Sequence, residues 1–133
     1  MTDELVVQIR ADADVLLARQ RARELAKSLK FSASELTLIA TAISEVARNI
    51  LTYAKDGEIV LRLVSQGRRR GIRVVAQDRG PGIADIARAM EDGYSTSSSL
   101  GLGLPGSKRL MDDFDIVSEV GRGTTVTMIK WER

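Results

Sequence analysis

Two polar side chains lie one helical turn apart in an apolar segment, and both are of types that can do chemistry. The segment is ISEVARN, residues 43–49, in which Glu45 and Asn49 are four positions apart. On a helix, this spacing places both side chains on one face. A carboxylate can act as a general base, and an amide oxygen suits a hard cation such as Mg²⁺. The helical wheel puts this face opposite the apolar stripe, so the segment alone favours a solvated pair.

A third candidate group follows an apolar strand-like segment, in DRGPG at residues 78–82. The Asp78 carboxylate could accept a hydrogen bond from an exocyclic amino group, an interaction worth about 1.5–3 kcal/mol. Gly80 and Gly82 would leave room beside it for a flat ring. The alternative is an ordinary turn that needs glycine for its backbone geometry.

The segment GLGLPG, residues 101–106, has the G-x-G-x-x-G spacing of phosphate-binding loops. Gly101 and Gly103 would let backbone N–H groups approach an anion, and the next helix would present its N-terminal N–H groups. A dinucleotide-binding fold requires a strand before this motif, and STSSS stands there instead, so we reject that fold. The order Gly106-Ser107-Lys108 does not fit a P-loop either. The loop alone supports a phosphate site and a plain helix-capping loop equally.

The apolar pattern predicts the elements that must position these groups, in the order β-α-α-β-β-α-α-β-β. Strands are predicted at 4–10, 58–65, 71–78, 115–120 and 124–132, and helices at 14–29, from Ser32 to about Gly57, at 83–93 and at 104–114. Ser32 and Glu35 form a capping-box pattern, and Leu16 belongs to the predicted apolar stripe of the first helix. This order predicts a single domain, 1–133, of the α+β class. It is expected to be a two-layer sandwich with a mixed, mostly antiparallel sheet and helices on one face.

The composition excludes several kinds of chemistry. The 133 residues contain no cysteine and no histidine, so thiolate metal sites and phosphohistidine chemistry are ruled out within this sequence. A net charge of +2 and 4% aromatic residues argue against nucleic acid as a partner. No apolar run approaches the roughly 18 residues of a membrane span and no signal-peptide pattern is present, so we expect no membrane association and a cytoplasmic location. The run 68–70, three arginines, predicts a solvated hairpin tip or, alternatively, a patch for an acidic partner.

Four motifs taken together resemble a known family. EVARN on a helix, DRGPG after a strand, GLGLPG before a helix and GRGTT before the last strand are similar to the GHKL ATP-binding (Bergerat) fold. Within it, the chain resembles the small serine-protein kinases of the anti-sigma-factor class, most closely the switch kinases of stressosomes. Anti-sigma factors usually carry an arginine just before the glycines, whereas SSSL stands here, which argues against direct sigma-factor binding.

The resemblance implies a role for each matching residue. Glu45 would be the general base for a substrate serine, Asn49 would hold Mg²⁺, and Asp78 would read the adenine amino group of ATP. The other nucleotide-binding positions would be Gly80, Gly82, Ile83, Gly101, Leu102, Gly103, Leu104, Lys108 and Thr124. Whether Thr124 or Thr125 reaches adenine stays open, and Arg48 and Lys108 could steady phosphate charge.

The resemblance also implies partners. The substrate would be a STAS-domain protein of a stressosome-like complex, phosphorylated on a hydroxyl, after which the released kinase would activate a PP2C-type phosphatase regulator. A homodimer is open, since anti-sigma relatives often dimerise. Two alternatives are a nucleotide-dependent module that sequesters a sigma factor and a structural domain with incidental glycine loops.

Overall fold

The computed structural model describes residues 4–80 and 103–133. The strands are β1 (Glu4–Ile9), β2 (Gly57–Gln66), β3 (Arg69–Asp78), β4 (Asp113–Glu119) and β5 (Gly123–Trp131). The helices are α1 (Asp12–Ala26), α2 (Ala33–Asn49) and α3 (Gly103–Leu110), and a π-helical turn, Ile50–Ala54, continues α2. The predicted helix at 83–93 and the predicted site residues Gly82, Ile83, Gly101 and Leu102 lie outside the described residues.

The five strands form one sheet in the order β1-β2-β3-β5-β4, and every described pairing in it is antiparallel. Alternate residues of the central strands, such as Leu61, Val74 and Met128, are paired in register and fully buried. This buried face carries α1, which contacts β1 and β2, and α2, which contacts β3. On the other face, Val6 keeps 52% of its surface exposed. The predicted α+β sandwich with helices on one face is therefore confirmed, but the sheet was predicted to be mixed and each strand pairing among the described residues is antiparallel.

Helix α2 is enclosed by its neighbours over most of its circumference. It begins as predicted, because the Ser32 Oγ accepts the Glu35 N–H at 3.1 Å and the Glu35 Oε1 accepts the Ser32 N–H at 2.9 Å. All residues from 42 to 47 are buried, since α1, α3 and the sheet all pack against this helix. The prediction that Glu45 lies on a solvated face is wrong, as its exposure is 1%. A helical wheel that assumes one buried stripe cannot anticipate packing on a second side.

Several element boundaries differ from the sequence-based prediction. Helix α3 ends at Leu110, before the predicted end at 114, because the Lys130 Nζ donates to the Leu110 carbonyl at 3.1 Å and Asp112 accepts the Trp131 N–H at 2.8 Å. Helix α1 ends at Ala26, and Leu16, predicted to be buried, is 54% exposed.

Gly57 was predicted to end the second helix, and this role is wrong. Lys55 makes the turn instead, at φ 72°, and Gly57 is the first residue of β2. A Cβ at Gly57 would lie 2.5 Å from the Gln77 carbonyl oxygen, so glycine is needed there for close strand packing.

The arginine run is a solvated hairpin tip only in part. Arg68 is exposed in the turn after Gly67, but the Arg69 guanidinium lies 4.3 Å from the centre of the Trp131 ring. The Arg70 Nε and Nη2 each donate to Glu132 at 3.1 Å, and Glu132 also accepts the Lys30 N–H. The Lys30 N–H, together with the hydrogen bonds and charge of Arg70, holds the pKa of Glu132 below its ordinary value. This carboxylate thus ties the α1–α2 connection to β3 and to the end of the chain.

No helix within residues 4–80 and 103–133 has the length and apolar character to cross a membrane.

We expect Glu132→Gln to lower the stability of the protein at neutral pH. The folded-state pKa of Glu132 is below the ordinary 4.5, so its ionised form stabilises the fold above that pH. This contribution is lost as the pH falls through the lower folded-state value, so the difference between variant and wild type should shrink on acidification. Urea unfolding from pH 7 to pH 3 measures this. Glu119→Gln, in the exposed pair with Arg122, is the control, and an equal loss there would contradict the assignment.

Candidate functional site

The Asp78 carboxylate connects two strands at one end of the sheet. Asp78 is the last residue of β3, on the helix-covered side that also carries Val74 and Ala76. Its Oδ1 accepts the Gly80 N–H at 2.8 Å and the Thr124 N–H, at the start of β5, at 3.3 Å. These two bonds fix the plane of the carboxylate. Within the described residues they use only Oδ1, so Oδ2 is the oxygen available to accept from a ligand.

Three glycines allow other segments to approach Asp78 closely. A Cβ at Gly80 would lie 2.6 Å from the Ala54 Cβ, and one at Gly57 would lie 3.1 Å from the Asp78 Cβ. A Cβ at Gly123, whose φ is 116°, would overlap the Asp78 carbonyl oxygen. Sequence reasoning found Gly80 but missed the roles of Gly57 and Gly123. Both glycines lie at the start of a strand, and this position was the available signal. The need for glycine there follows only from the pairing of each strand with β3, which the sequence does not show.

Thr124 lies on the same side of the sheet as Asp78. It alternates with the buried Val126 and Met128, whereas Thr125 faces the opposite side and pairs with Gln77. Its Oγ1 is 2.8 Å from the Ser118 Oγ, a partner that the sequence did not suggest. The Thr124 side chain is therefore held in place beside the Asp78 carboxylate, and Thr125 is directed away from it.

The end of α2 lies at this end of the sheet, because Ile50, which follows Asn49, has its Cγ2 only 2.9 Å from the position of a Cβ at Gly57. Glu45 is one turn earlier on the same helix. Asn49 is the last residue of α2 and is half-buried, and the π-helical turn follows directly. The turn is closed by the Lys55 N–H, which donates to the Ile50 carbonyl at 2.9 Å. It carries Ala54 against Gly80, as described above. Such π-helical turns are frequent at functional sites because they redirect a helix locally.

Glu45 is a buried carboxylate with an unused acceptor. Its side chain is 1% exposed, and within residues 4–80 and 103–133 its Oε1 has no hydrogen-bond partner. The nearest described cation is Arg48, whose Nη1 is 4.0 Å from that oxygen. Buried polar groups are nearly always hydrogen-bonded, so an unpaired carboxylate oxygen points to a group reserved for a ligand or for catalysis.

Helix α3 lies against α2 and begins at Gly103, the second glycine of the GLGLPG segment. Leu104 is buried, Pro105 is in the first turn, and Lys108 is exposed. The first N–H groups of this helix have no intrahelical partner and can bind an anion. The helix is held at its other end by Lys130, a buried amino group that donates to the Leu110 carbonyl.

A comparison with family models identifies the arrangement. The model described as the histidine kinase-like ATPase domain matches residues 9–130. The chain belongs to this family. This is a family of ATPase domains, so the match implies nucleotide binding, and the predicted GHKL relationship is confirmed.

The curated relatives are small kinases and anti-sigma factors. The chain is 48% identical over 133 residues, all of both chains, to the serine/threonine-protein kinase RsbT of Bacillus subtilis. It is 31% identical over 120 residues to the anti-sigma F factor of Thermoanaerobacter sp., covering 86% of this chain and 82% of the relative. The predicted enzyme class, a protein serine/threonine kinase, is confirmed by the full-length similarity to a kinase of that class.

Solved structures show the same fold at low sequence identity. The RsbU and RsbW domains of a Mycobacterium tuberculosis protein match with a TM-score of 0.66 at 22% identity, covering 100% of this chain and 33% of that one. The mycobacterial sensor histidine kinase MprB matches with a TM-score of 0.58 at 17% identity, covering 100% of this chain and 99% of that one.

We expect Gly123→Ala to weaken both folding and nucleotide binding. Its Cβ would overlap the Asp78 carbonyl oxygen and displace the end of β3, in addition to the roughly 1–3 kcal/mol that its backbone conformation costs a non-glycine residue. Gly121→Ala, in the same turn at φ 84° with open space around it, carries only the backbone cost. Urea unfolding and ADP titration calorimetry of both variants measure the difference. Equal effects of the two substitutions would contradict the close approach at Gly123.

Proposed function

We propose that the chain is an ATP- and Mg²⁺-dependent serine/threonine-protein kinase that phosphorylates a STAS-domain protein and acts as a partner switch. The observation that carries this proposal is the buried Glu45, whose Oε1 has no hydrogen-bond partner among the described residues. Glu45 lies on α2, and the π-helical turn that continues α2 places Ala54 against Gly80, beside Asp78. A buried carboxylate with a free acceptor is the group that a hydroxyl nucleophile needs as its general base.

The nucleotide would lie between the end of β3 and the start of α3. The Asp78 Oδ2 would accept the adenine amino group, while Oδ1 stays bonded to the Gly80 and Thr124 N–H groups. The phosphates would lie at the N-terminus of α3, near Gly101 and Gly103. Gly82, Ile83, Leu102 and Leu104 keep the nucleotide-binding roles that the resemblance implies, as does Lys108.

A magnesium ion would be held by Asn49 and the phosphates. Mg²⁺ is usually bound by one or two protein oxygens, water and phosphate rather than by an all-protein cage. The residues present fit this pattern. The Asn49 amide oxygen can serve as one protein ligand. The described part of the chain contains no cluster of three or more acidic residues that could form an all-protein cage. When bound, the ion would neutralise charge on the β- and γ-phosphates.

The transfer itself requires one proton acceptor. The serine hydroxyl of the partner would give its proton to the Glu45 carboxylate as its oxygen bonds to the γ-phosphorus. The bond from that phosphorus to the β–γ bridging oxygen would break, which leaves ADP. Burial of Glu45 keeps water from competing as the nucleophile.

The proposed exchange of protein partners is supported by the similarity of the chain to RsbT and to the anti-sigma factors. Phosphorylation of a STAS-domain protein in a stressosome-like complex would release the kinase, which would then activate a PP2C-type phosphatase regulator. Cytoplasmic location, a single domain over 1–133 and a homodimer likewise stay predictions.

We expect Glu45→Gln to abolish phosphoryl transfer while ATP binding is retained. Glutamine keeps the shape of the side chain but cannot take the proton, so a loss of about 10²-fold or more in rate is expected. Transfer of radiolabelled γ-phosphate from ATP to a STAS-domain protein of the same organism measures this, and titration calorimetry measures ATP affinity.

The control substitution is Glu24→Gln, in an exposed pair with Arg21, which should leave transfer unchanged. Wild-type transfer rates in Glu45→Gln would remove the catalytic assignment. The alternative function is an anti-sigma-type module, which the 31% identity to an anti-sigma F factor supports. Stable binding of a sigma factor in the presence of nucleotide, with no phosphoryl transfer to any STAS-domain protein, would favour this alternative.

A further inference from the structure

We propose that Arg48 is a positioning residue for the general base, whose guanidinium compensates the buried charge of Glu45 rather than binding phosphate. This inference rests on the proposed function, because it assigns a role in phosphoryl transfer to a residue beside the base. It concerns the pair of Glu45 and Arg48, three positions apart on α2.

The geometry relates Arg48 to the base. The Arg48 Nη1 is 4.0 Å from the Glu45 Oε1, the oxygen for which the described part of the chain provides no hydrogen-bond partner. The Glu45 side chain is 1% exposed, whereas that of Arg48 is 42% exposed, so the guanidinium lies on the solvent side of the carboxylate. Arg48 is thus placed to attract the carboxylate while part of its own charge stays hydrated.

The separation between Arg48 and Glu45 is short enough for attraction between charges but too long for a hydrogen bond. At 4.0 Å, Arg48 attracts Glu45 through charge but does not form a hydrogen bond to it. The Oε1 lone pairs therefore stay free to accept the proton of a substrate hydroxyl. A cation at hydrogen-bond distance would occupy the acceptor, and no cation at all would leave a buried carboxylate uncompensated, which is strongly unfavourable.

An exposed pair of the same spacing offers a comparison. Arg21 and Glu24 are also three residues apart, at 3.7 Å, but both side chains are about half exposed. Exposed pairs contribute little because solvent screens them, whereas a pair with one buried member is screened less. We therefore expect the coupling energy between arginine and glutamate to be larger for Glu45 and Arg48 than for Arg21 and Glu24, and this difference is measurable.

The first experiment measures the coupling without any enzyme assay. Arg48→Met is made in the wild type and in Glu45→Gln, and the urea midpoints of all four proteins are compared. We expect Arg48→Met to lower the midpoint when Glu45 is present and to leave it nearly unchanged in Glu45→Gln. Arg21→Met, with and without Glu24→Gln, should show almost no coupling. Equal shifts from Arg48→Met in both backgrounds would overturn the pairing.

The second experiment separates the base from the phosphates. In phosphoryl transfer from ATP, we expect Arg48→Met to lower kcat about tenfold, to leave the KM for ATP within about twofold, and to be largely rescued by Arg48→Lys. A rise in the ATP dissociation constant with unchanged kcat would assign Arg48 to the phosphates and overturn the inference. Absence of transfer by the wild type would defeat the proposed function, while the urea comparison would still decide whether the two residues are coupled.

Discussion

The site depends on the Asp78 carboxylate, which accepts backbone N–H groups from Gly80 and Thr124 with one oxygen. These bonds link the end of β3 to the start of β5 and hold the second oxygen in one direction. The proposed role of Asp78 in reading adenine requires a rigid carboxylate, because discrimination between similar ligands is lost when a polar group can turn away. The glycines at positions 57, 80 and 123 are required because the neighbouring backbone comes too close for a side chain.

A second constraint is the burial of Glu45, which couples function to stability. A carboxylate inside a protein is costly unless it is paired. Among the described residues, one Glu45 oxygen has no hydrogen-bond donor, and the nearest cation, Arg48, is 4.0 Å away. Helix α2 tolerates this because its other buried residues, among them Ile39, Ile43 and Val46, pack against three neighbouring elements. The packing of the core thus offsets the cost of burying Glu45, the proposed general base.

Local signals in the sequence predicted much of the fold. The Ser32 capping box, the alternating strands and the α+β class follow from short-range patterns. The motifs at 45–49 and 78–80 lie on a helix and at a strand end, as the sequence predicted. The burial of Glu45, the roles of Gly57 and Gly123 and the contact of Ser118 with Thr124 could not be predicted in this way. Each depends on which elements lie beside one another, and a single-sequence pattern contains no such information.

The most direct test of the central claim is whether Asp78 reads the exocyclic amino group of adenine. Titration calorimetry compares ADP with inosine diphosphate, which lacks that group, on the wild type and on Asp78→Asn. The account predicts that the wild type prefers ADP by about tenfold or more, as expected for one charged hydrogen bond, and that Asp78→Asn loses most of this preference. Equal affinity of the wild type for the two nucleotides, or an unchanged preference in Asp78→Asn, would contradict it.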